Sequence, residues 1–411
     1  MVYVILSFVS QLVSTNPFVL PIMRYLLFLL VVFMAVAGNA QESSELLPTS
    51  KVFSVDFNGQ LTAWSAVQLT QPVLWLNGGR FVPTLTGRYR TGNNRGWDAE
   101  ASLNINGSAI LSRDSVPGWD GQLKPYRVWL RYYTPGFELR AGLQKLNFGA
   151  AKMLRPLMWF DGMDVRDPLQ LTDGVYGLLG RYYADGNVTV WGWALTGNTR
   201  PKGYELVGTA GWKPELGGRI QLPLGPGELG LSYHHRKVNN ATADLTVKEL
   251  FENRMGFDGK WDVGVGLWIE GSLTALERDP LGVLPERTDL LNLGLDYTFP
   301  WGNGLGITFE YFRYHAGNRF FTGGKGANVL ATMVSYPLSL IDNVSAMVFC
   351  VPSATRTYWM NYLTWSRTYD ELSVFLMGFI NPADYSLPIS ASQGRNVFSG
   401  KGFQFMLSYN F

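Results

Sequence analysis

Any chemistry in this chain has to come from three groups of residues. The densest lies between Asn147 and Thr172, where Lys152, Arg155, Asp161, Asp164, Arg166 and Asp167 fall close together. Carboxylates at such short spacing suit a hard cation such as calcium. Their spacing matches no EF-hand loop, however, and pairing with Lys152, Arg155 or arginines on neighbouring strands is the simpler expectation. The second group is Arg88, Arg90, Asp98, Glu100, Arg127, Arg131, Arg140 and Arg181, each opposite apolar neighbours along the chain. The third is the histidines, His234, His235 and His315. Hydrolysis by Ser and His needs an activated nucleophile held against its base. The sequence contains neither Gly-x-Ser-x-Gly nor His-Glu-x-x-His, so we assign no catalytic residue, metal ligand or cofactor and expect no enzyme.

Charge and cysteine narrow the field further. With 34 Lys or Arg against 32 Asp or Glu the net charge is +2, which leaves no electrostatic footprint for nucleic acid. The first forty residues hold Arg24 and no acid, so without them the balance is 33 − 32 = +1. Cys350 is the one cysteine, which excludes an internal disulfide and a multi-cysteine metal site.

The elements that must position these residues read as strands. Trp97, Ala99, Ala101, Leu103 and Ile105 alternate with Asp98, Glu100, Ser102, Asn104 and Asn106, and Val128, Leu130 and Tyr132 with Arg127, Trp129 and Arg131. A period of two puts one set on each face. Charged residues make up 16 % of the chain, below the ~25 % of soluble domains, while aromatics reach 14 % and glycines number 46. Mean hydropathy is +0.01, and apart from the N-terminus no apolar run reaches the ~18 residues of a membrane helix. Lipid is the natural cover for so many apolar strand faces. An arginine on such a face costs about 2–4 kcal/mol near midplane, so the arginines are expected to line a lumen.

The expected fold is all-β, a transmembrane antiparallel up-and-down β-barrel over residues 52–411, with roughly 16–18 strands and an even count. Short turns such as Thr134-Pro-Gly136 and Ala184-Asp-Gly186 alternate with longer connections near 68–80, 111–122, 238–249, 276–287, 315–326 and 383–398. Strands at 356–367 and 371–380 alternate poorly. Residues 147–172 interrupt the rhythm with Pro156, Pro168 and many Leu, Met and aromatic side chains. An apolar loop of that length is expected to fold into the lumen or pack over the barrel mouth.

The two ends of the chain carry an address. Met23-Arg24, the apolar run Tyr25–Ala37 and Gly38-Asn-Ala40 form the pattern of a cleaved signal peptide over 1–40, with 1–22 an over-extended start. Residues 41–51 read as a short periplasmic lead-in. At the other end Phe403, Phe405, Leu407, Tyr409 and Phe411 share one face of a terminal strand. This ending resembles the C-terminal signature strand of bacterial outer-membrane β-barrels. The resemblance implies the outer membrane of a Gram-negative bacterium, lipid contact and recognition by the barrel-assembly machinery.

A second resemblance covers about forty residues. Gly142-x-Gln144-x-Leu146-x-Phe148-Gly149 leads through a Trp-bearing loop to Asp173-Gly174, and is similar to a pattern in porin-like barrels of the alginate-export kind. It implies a porin-like channel for passive diffusion of small polar solutes, with the loop as an internal constriction. The near-neutral charge speaks against a polyanion. The alternative is a plugged structural, assembly or secretion-partner barrel. Oligomeric state stays open.

Overall fold

The computed structural model describes residues 52–411 except 71–72, 93, 113–114, 241–247, 280–281, 283 and 384–397. The signal peptide expected at 1–40 and the lead-in at 41–51 lie outside the described residues.

Alternation along the chain becomes one closed sheet of 18 strands. They are β1 (Val52–Gln68), β2 (Leu74–Gly92), β3 (Arg95–Ser112), β4 (Ser115–Thr134), β5 (Phe137–Gln144), β6 (Val175–Ala184), β7 (Val188–Leu195), β8 (Glu215–Leu224) and β9 (Gly227–Asn240). The second half comprises β10 (Lys248–Asp262), β11 (Gly266–Leu276), β12 (Arg287–Phe299), β13 (Leu305–Gly317), β14 (Lys325–Pro337), β15 (Asp342–Pro352), β16 (Thr357–Thr368), β17 (Leu372–Ile380) and β18 (Lys401–Asn410). Each strand pairs antiparallel with its sequence neighbours. The barrel closes where β18 meets β1, from Gln60 opposite Asn410 to Gln68 opposite Gly402. Gly59 and Phe411 then exchange backbone hydrogen bonds of 2.9 and 3.1 Å. Closure removes the sheet edge that a membrane would not tolerate.

The two faces separate as the period of two demands. Leu61, Trp97, Leu130, Leu139, Leu178, Leu293 and Phe405 are each 41–50 % exposed on the outside. Their neighbours Thr62, Glu138, Leu179, Asn292 and Gln404 are buried within. The alternating side chains of the last strand fit this pattern, with Phe403, Tyr409 and Phe411 also exposed.

Strand lengths are uneven. β1 to β4 have 17–20 residues, whereas β5 to β8 have 8–10, close to the minimum for a crossing. The pairing of β4 with β5 ends at Val128 opposite Leu143, so the preceding part of β4 pairs with β3 alone. This stretch of β4, without a partner on its β5 side, carries Gly118, Gly121, Lys124 and Pro125, residues that discourage pairing with another chain. These breakers mimic a loop in the sequence. Of the connections expected at 68–80 and 111–122, only residues 69–73 and 113–114 lie between strands.

Candidate functional site

The connection between β5 and β6, residues 145–174, is the site that the barrel encloses. Met153 through Asp161 are all buried. Met153, Leu154 and Val165 pack on Phe312, Val329, Met347, Phe349, Met360 and Met377 of the inner wall. Leu146, Phe148, Trp159 and Phe160 pack on Trp193 and Leu195. Each Leu or Met so enclosed contributes about 1.5–3 kcal/mol, which is why an apolar loop prefers the lumen to water.

Two wall carboxylates fix the loop backbone. Glu310 on β13 accepts from the amides of Lys152 (2.7 Å), Met153 (3.1 Å) and Leu154 (2.7 Å), and from the Asn292 side chain (3.1 Å). Glu270 on β11 accepts from the amides of Ala151 (2.9 Å) and Leu157 (2.7 Å). Both carboxylates are fully enclosed. An enclosed charge costs several kcal/mol unless hydrogen bonds replace its water, and here loop amides do so. Asn292 returns a bond to the Leu154 carbonyl at 2.7 Å, and the Trp159 indole donates to Ser272 at 2.9 Å. The approach is close enough to require glycine: a Cβ on Gly149, whose φ is +106°, would stand 2.4 Å from Glu270 Oε2.

The charged loop residues expected from the sequence find partners one by one. Lys152 pairs with Asp296 and lies over the Trp268 ring. Arg155 pairs with Asp161 at 3.3 Å and also binds Asn147 and the Phe148 carbonyl. Asp164 is held by Arg166 at 2.7 Å. Asp167 accepts the Leu169 amide at 3.0 Å. Burial pushes its carboxyl above the usual range, which that bond and Arg80 oppose. Among the described residues no group of three His, Cys, Asp or Glu is placed to hold a metal ion.

On the wall, the structure joins part of the second group around a residue that the sequence reading passed over. Glu138 meets Arg131 (3.4 Å), Arg140 (3.0 Å) and Arg181 (3.6 Å), and Arg131 also binds Asp98. Arg140 and Arg181 lie over the Trp129 and Trp191 rings at 4.6 and 4.0 Å. Arg127 instead donates to the Thr172 carbonyl at 2.8 Å, tying β4 to the end of the loop. Glu100 accepts from Ser102 at 3.3 Å. Arg88 pairs with Asp56 at 3.6 Å in water, and Arg90 is exposed at the end of β2, so neither joins the cluster.

A second connection, residues 196–214 between β7 and β8, also enters the lumen, and the sequence reading did not anticipate it. Glu205 bridges Arg236 (3.0 Å) and Arg254 (2.8 Å), which share Glu252 beneath. Tyr204 stacks on Phe312 with ring centres 5.3 Å apart. Lys202 donates to the Gly174 carbonyl at 2.9 Å, and burial holds its ammonium below the ordinary lysine range. The two loops touch at Gly203, where a Cβ would lie 2.1 Å from the Met158 carbonyl. Parity offered a signal for Glu138, Glu270 and Glu310, which occupy inward positions between apolar residues. Nothing comparable marked Tyr204 and Glu205, whose loop has mixed composition.

No protein-family model and no curated protein matches the sequence. Solved structures do. OccAB4 of Acinetobacter baumannii is 9 % identical over 89 % of this chain and 100 % of its own, with a TM-score of 0.55. OccK5 (OpdH) of Pseudomonas aeruginosa is 11 % identical over 87 % and 98 %, with a TM-score of 0.54. Wzi of Escherichia coli, an outer-membrane protein involved in group 1 capsule assembly and described as a carbohydrate-binding β-barrel, is 12 % identical over 87 % and 85 %, with a TM-score of 0.51. With its closed 18-strand wall and apolar outer face, the chain has the fold of the bacterial outer-membrane porins.

Proposed function

We propose that the protein is a porin-like channel for passive diffusion of small polar solutes, with residues 147–172 as its constriction. The observation that carries this reading is the pair Glu270 and Glu310, which hold the loop backbone across the lumen at five amides. Partly exposed inner charges, among them Arg88, Asp56, Lys152 and Asp296, would give polar solutes a wetted path beside the loop. Arg131, Arg140 and Arg181 against Asp98 and Glu138 would give that path a mild preference for anions. The mature barrel reconstituted in a planar bilayer is expected to show stable open steps, which widen when residues 150–169 are deleted. Persistent silence at high protein loading would sink the channel.

A second reading has one observation of its own. Both internal loops meet at Gly203 and Met158, as a plug would, and a plugged barrel could serve as a partner platform in assembly or secretion. Silence in the bilayer together with retention of the folded barrel by a saccharide column would favour it, since Wzi is described as binding carbohydrate.

A further inference from the structure

We propose that the loop-end rim of β12 and β13, with the connection 318–324, is a docking surface for the phosphorylated headgroups of outer-leaflet lipid. It rests on the outer-membrane placement expected from the terminal strand, with the short turns in the periplasm and the longer connections outside, and not on the channel reading. The outward column of β13 runs Phe309, Tyr311, Arg313, His315, beside Leu295, Leu293, Leu291, Asp289 on β12 in direct register. Arg287 follows at the end of β12, opposite Gly317. Apolar side chains thus give way to cations within two alternate positions, a rise of roughly 7 Å. That is the distance over which acyl chains give way to headgroups.

These cations lack the partners that silence others on the same rim. Arg313 donates to the Phe321 carbonyl at 3.0 Å, and Arg287 donates to the carbonyls of Leu276 (3.0 Å) and Glu286 (2.7 Å). Among the described residues neither meets a carboxylate, nor does the exposed Arg319. The acid in the same rows, Asp289, is already engaged by His315 Nδ1 and the Phe321 amide, both at 2.8 Å. His315 reaches the Gly323 carbonyl with its other nitrogen, so the connection is fastened down beside the arginines. By contrast, Lys213 just before β8 and Lys237 on β9 share Glu249 on β10 at 3.3 and 3.6 Å.

A guanidinium has five donors, and carbonyl contacts leave some of them free for an anion. Phosphate uses such donors in pairs. The neighbouring Phe320 lies 5.7 Å from the Arg287 guanidinium, and Phe321 beside it is 57 % exposed. An exposed aromatic just above the apolar belt suits the interface. Continuity with lipid-facing Leu293 and Tyr311 selects a lipid over a free anion.

The test uses the folded barrel in detergent and diphosphorylated lipid A, with its dephosphorylated form as comparator, read by native mass spectrometry. The wild type is expected to retain the phosphorylated form preferentially. Losing both arginines in R287Q/R313Q should weaken that retention by about tenfold or more, since each cation near an anionic headgroup is worth about a fivefold factor. The paired cations provide the control: K213Q/K237Q should stay within about twofold. Equal loss in both variants, no preference for the phosphorylated lipid, or displacement by millimolar inorganic phosphate would each overturn the proposal. Folding is checked by the shift in gel mobility on boiling. If R287Q/R313Q fails that check, R319Q, confined to the connection, must show a smaller loss in the same direction.

Discussion

The inner wall has two unlike halves. From β12 to β17 it presents Phe312, Val329, Ala331, Phe349, Met360, Tyr362, Met377 and Phe379, all buried. From β4 to β11 it presents Arg127, Arg131, Glu138, Arg181, Arg219, Glu252, Asp258 and Glu270. The apolar half stabilises whatever covers it but has no directional preference. The charged half has direction, because each carboxylate and guanidinium demands a partner at a defined angle. The 145–174 loop uses both. Its Met153, Leu154 and Val165 take burial from one half, and Glu270 and Glu310 near the boundary decide where its backbone lies.

The largest effect is expected from Glu310→Ala. Three consecutive amides, those of Met153 and Leu154 buried, lose their acceptor, and the Asn292 side chain loses one of two. At about 1–3 kcal/mol for each buried group left unpaired, the loop should detach while the barrel still shifts its mobility on boiling. Trypsin should then cut the folded protein after Lys152 or Arg166, and channel steps should widen. A loop as resistant as the wild type would mean that apolar packing alone fixes it, and the distinction between the halves would fail.

Leu154→Ala probes the apolar half. Leu154 is fully enclosed, so truncation should cost about 2–5 kcal/mol for lost burial and the cavity left behind. The carboxylates remain, however, and the loop should stay in register but with a looser fit. The expected result is noisier conductance with little gain in trypsin cleavage. Cleavage equal to that of Glu310→Ala would show that the carboxylates only follow the packing.

The two halves also explain what could be read in advance. Where the inner face is polar, as in β3 and β4, alternation marks both strands and their inward residues. Strands β16 and β17 alternate poorly because Met360, Tyr362, Met377 and Phe379 face inward opposite apolar outer faces. Period two vanishes when both faces are greasy. The odd composition of 147–172 pointed to a loop folded into the lumen or packed over the barrel mouth, but its anchors Glu270 and Glu310 lie more than a hundred residues away. A contact of that separation leaves no local trace. The 196–214 loop was missed because Glu205 and Tyr204 acquire meaning only opposite Arg236, Arg254 and Phe312.

Within the charged half, Glu138→Gln should have an intermediate effect. It leaves Arg140 and Arg181 without their shared acid, while Arg131 keeps Asp98. Removing one negative charge beside three arginines should move the reversal potential in a salt gradient toward anions, by a few-fold in permeability ratio. An unchanged potential would place the solute path elsewhere in the lumen.

The smallest effect should come from Arg88→Gln. Arg88 and Asp56 face each other at 3.6 Å with both side chains 52 % exposed, whereas Arg131 and Asp98 are 29 % and 13 % exposed. Water weakens the first pair and salt screens it over about 10 Å at 0.1 M. Exposed pairs of this kind contribute about 0–1 kcal/mol, so urea unfolding should move by no more than about 1 kcal/mol. Any change in conductance should fade as salt rises. A loss above about 2 kcal/mol would mean that this end of the charged wall is as enclosed as the Glu138 cluster, and the path beside the loop would be closed there.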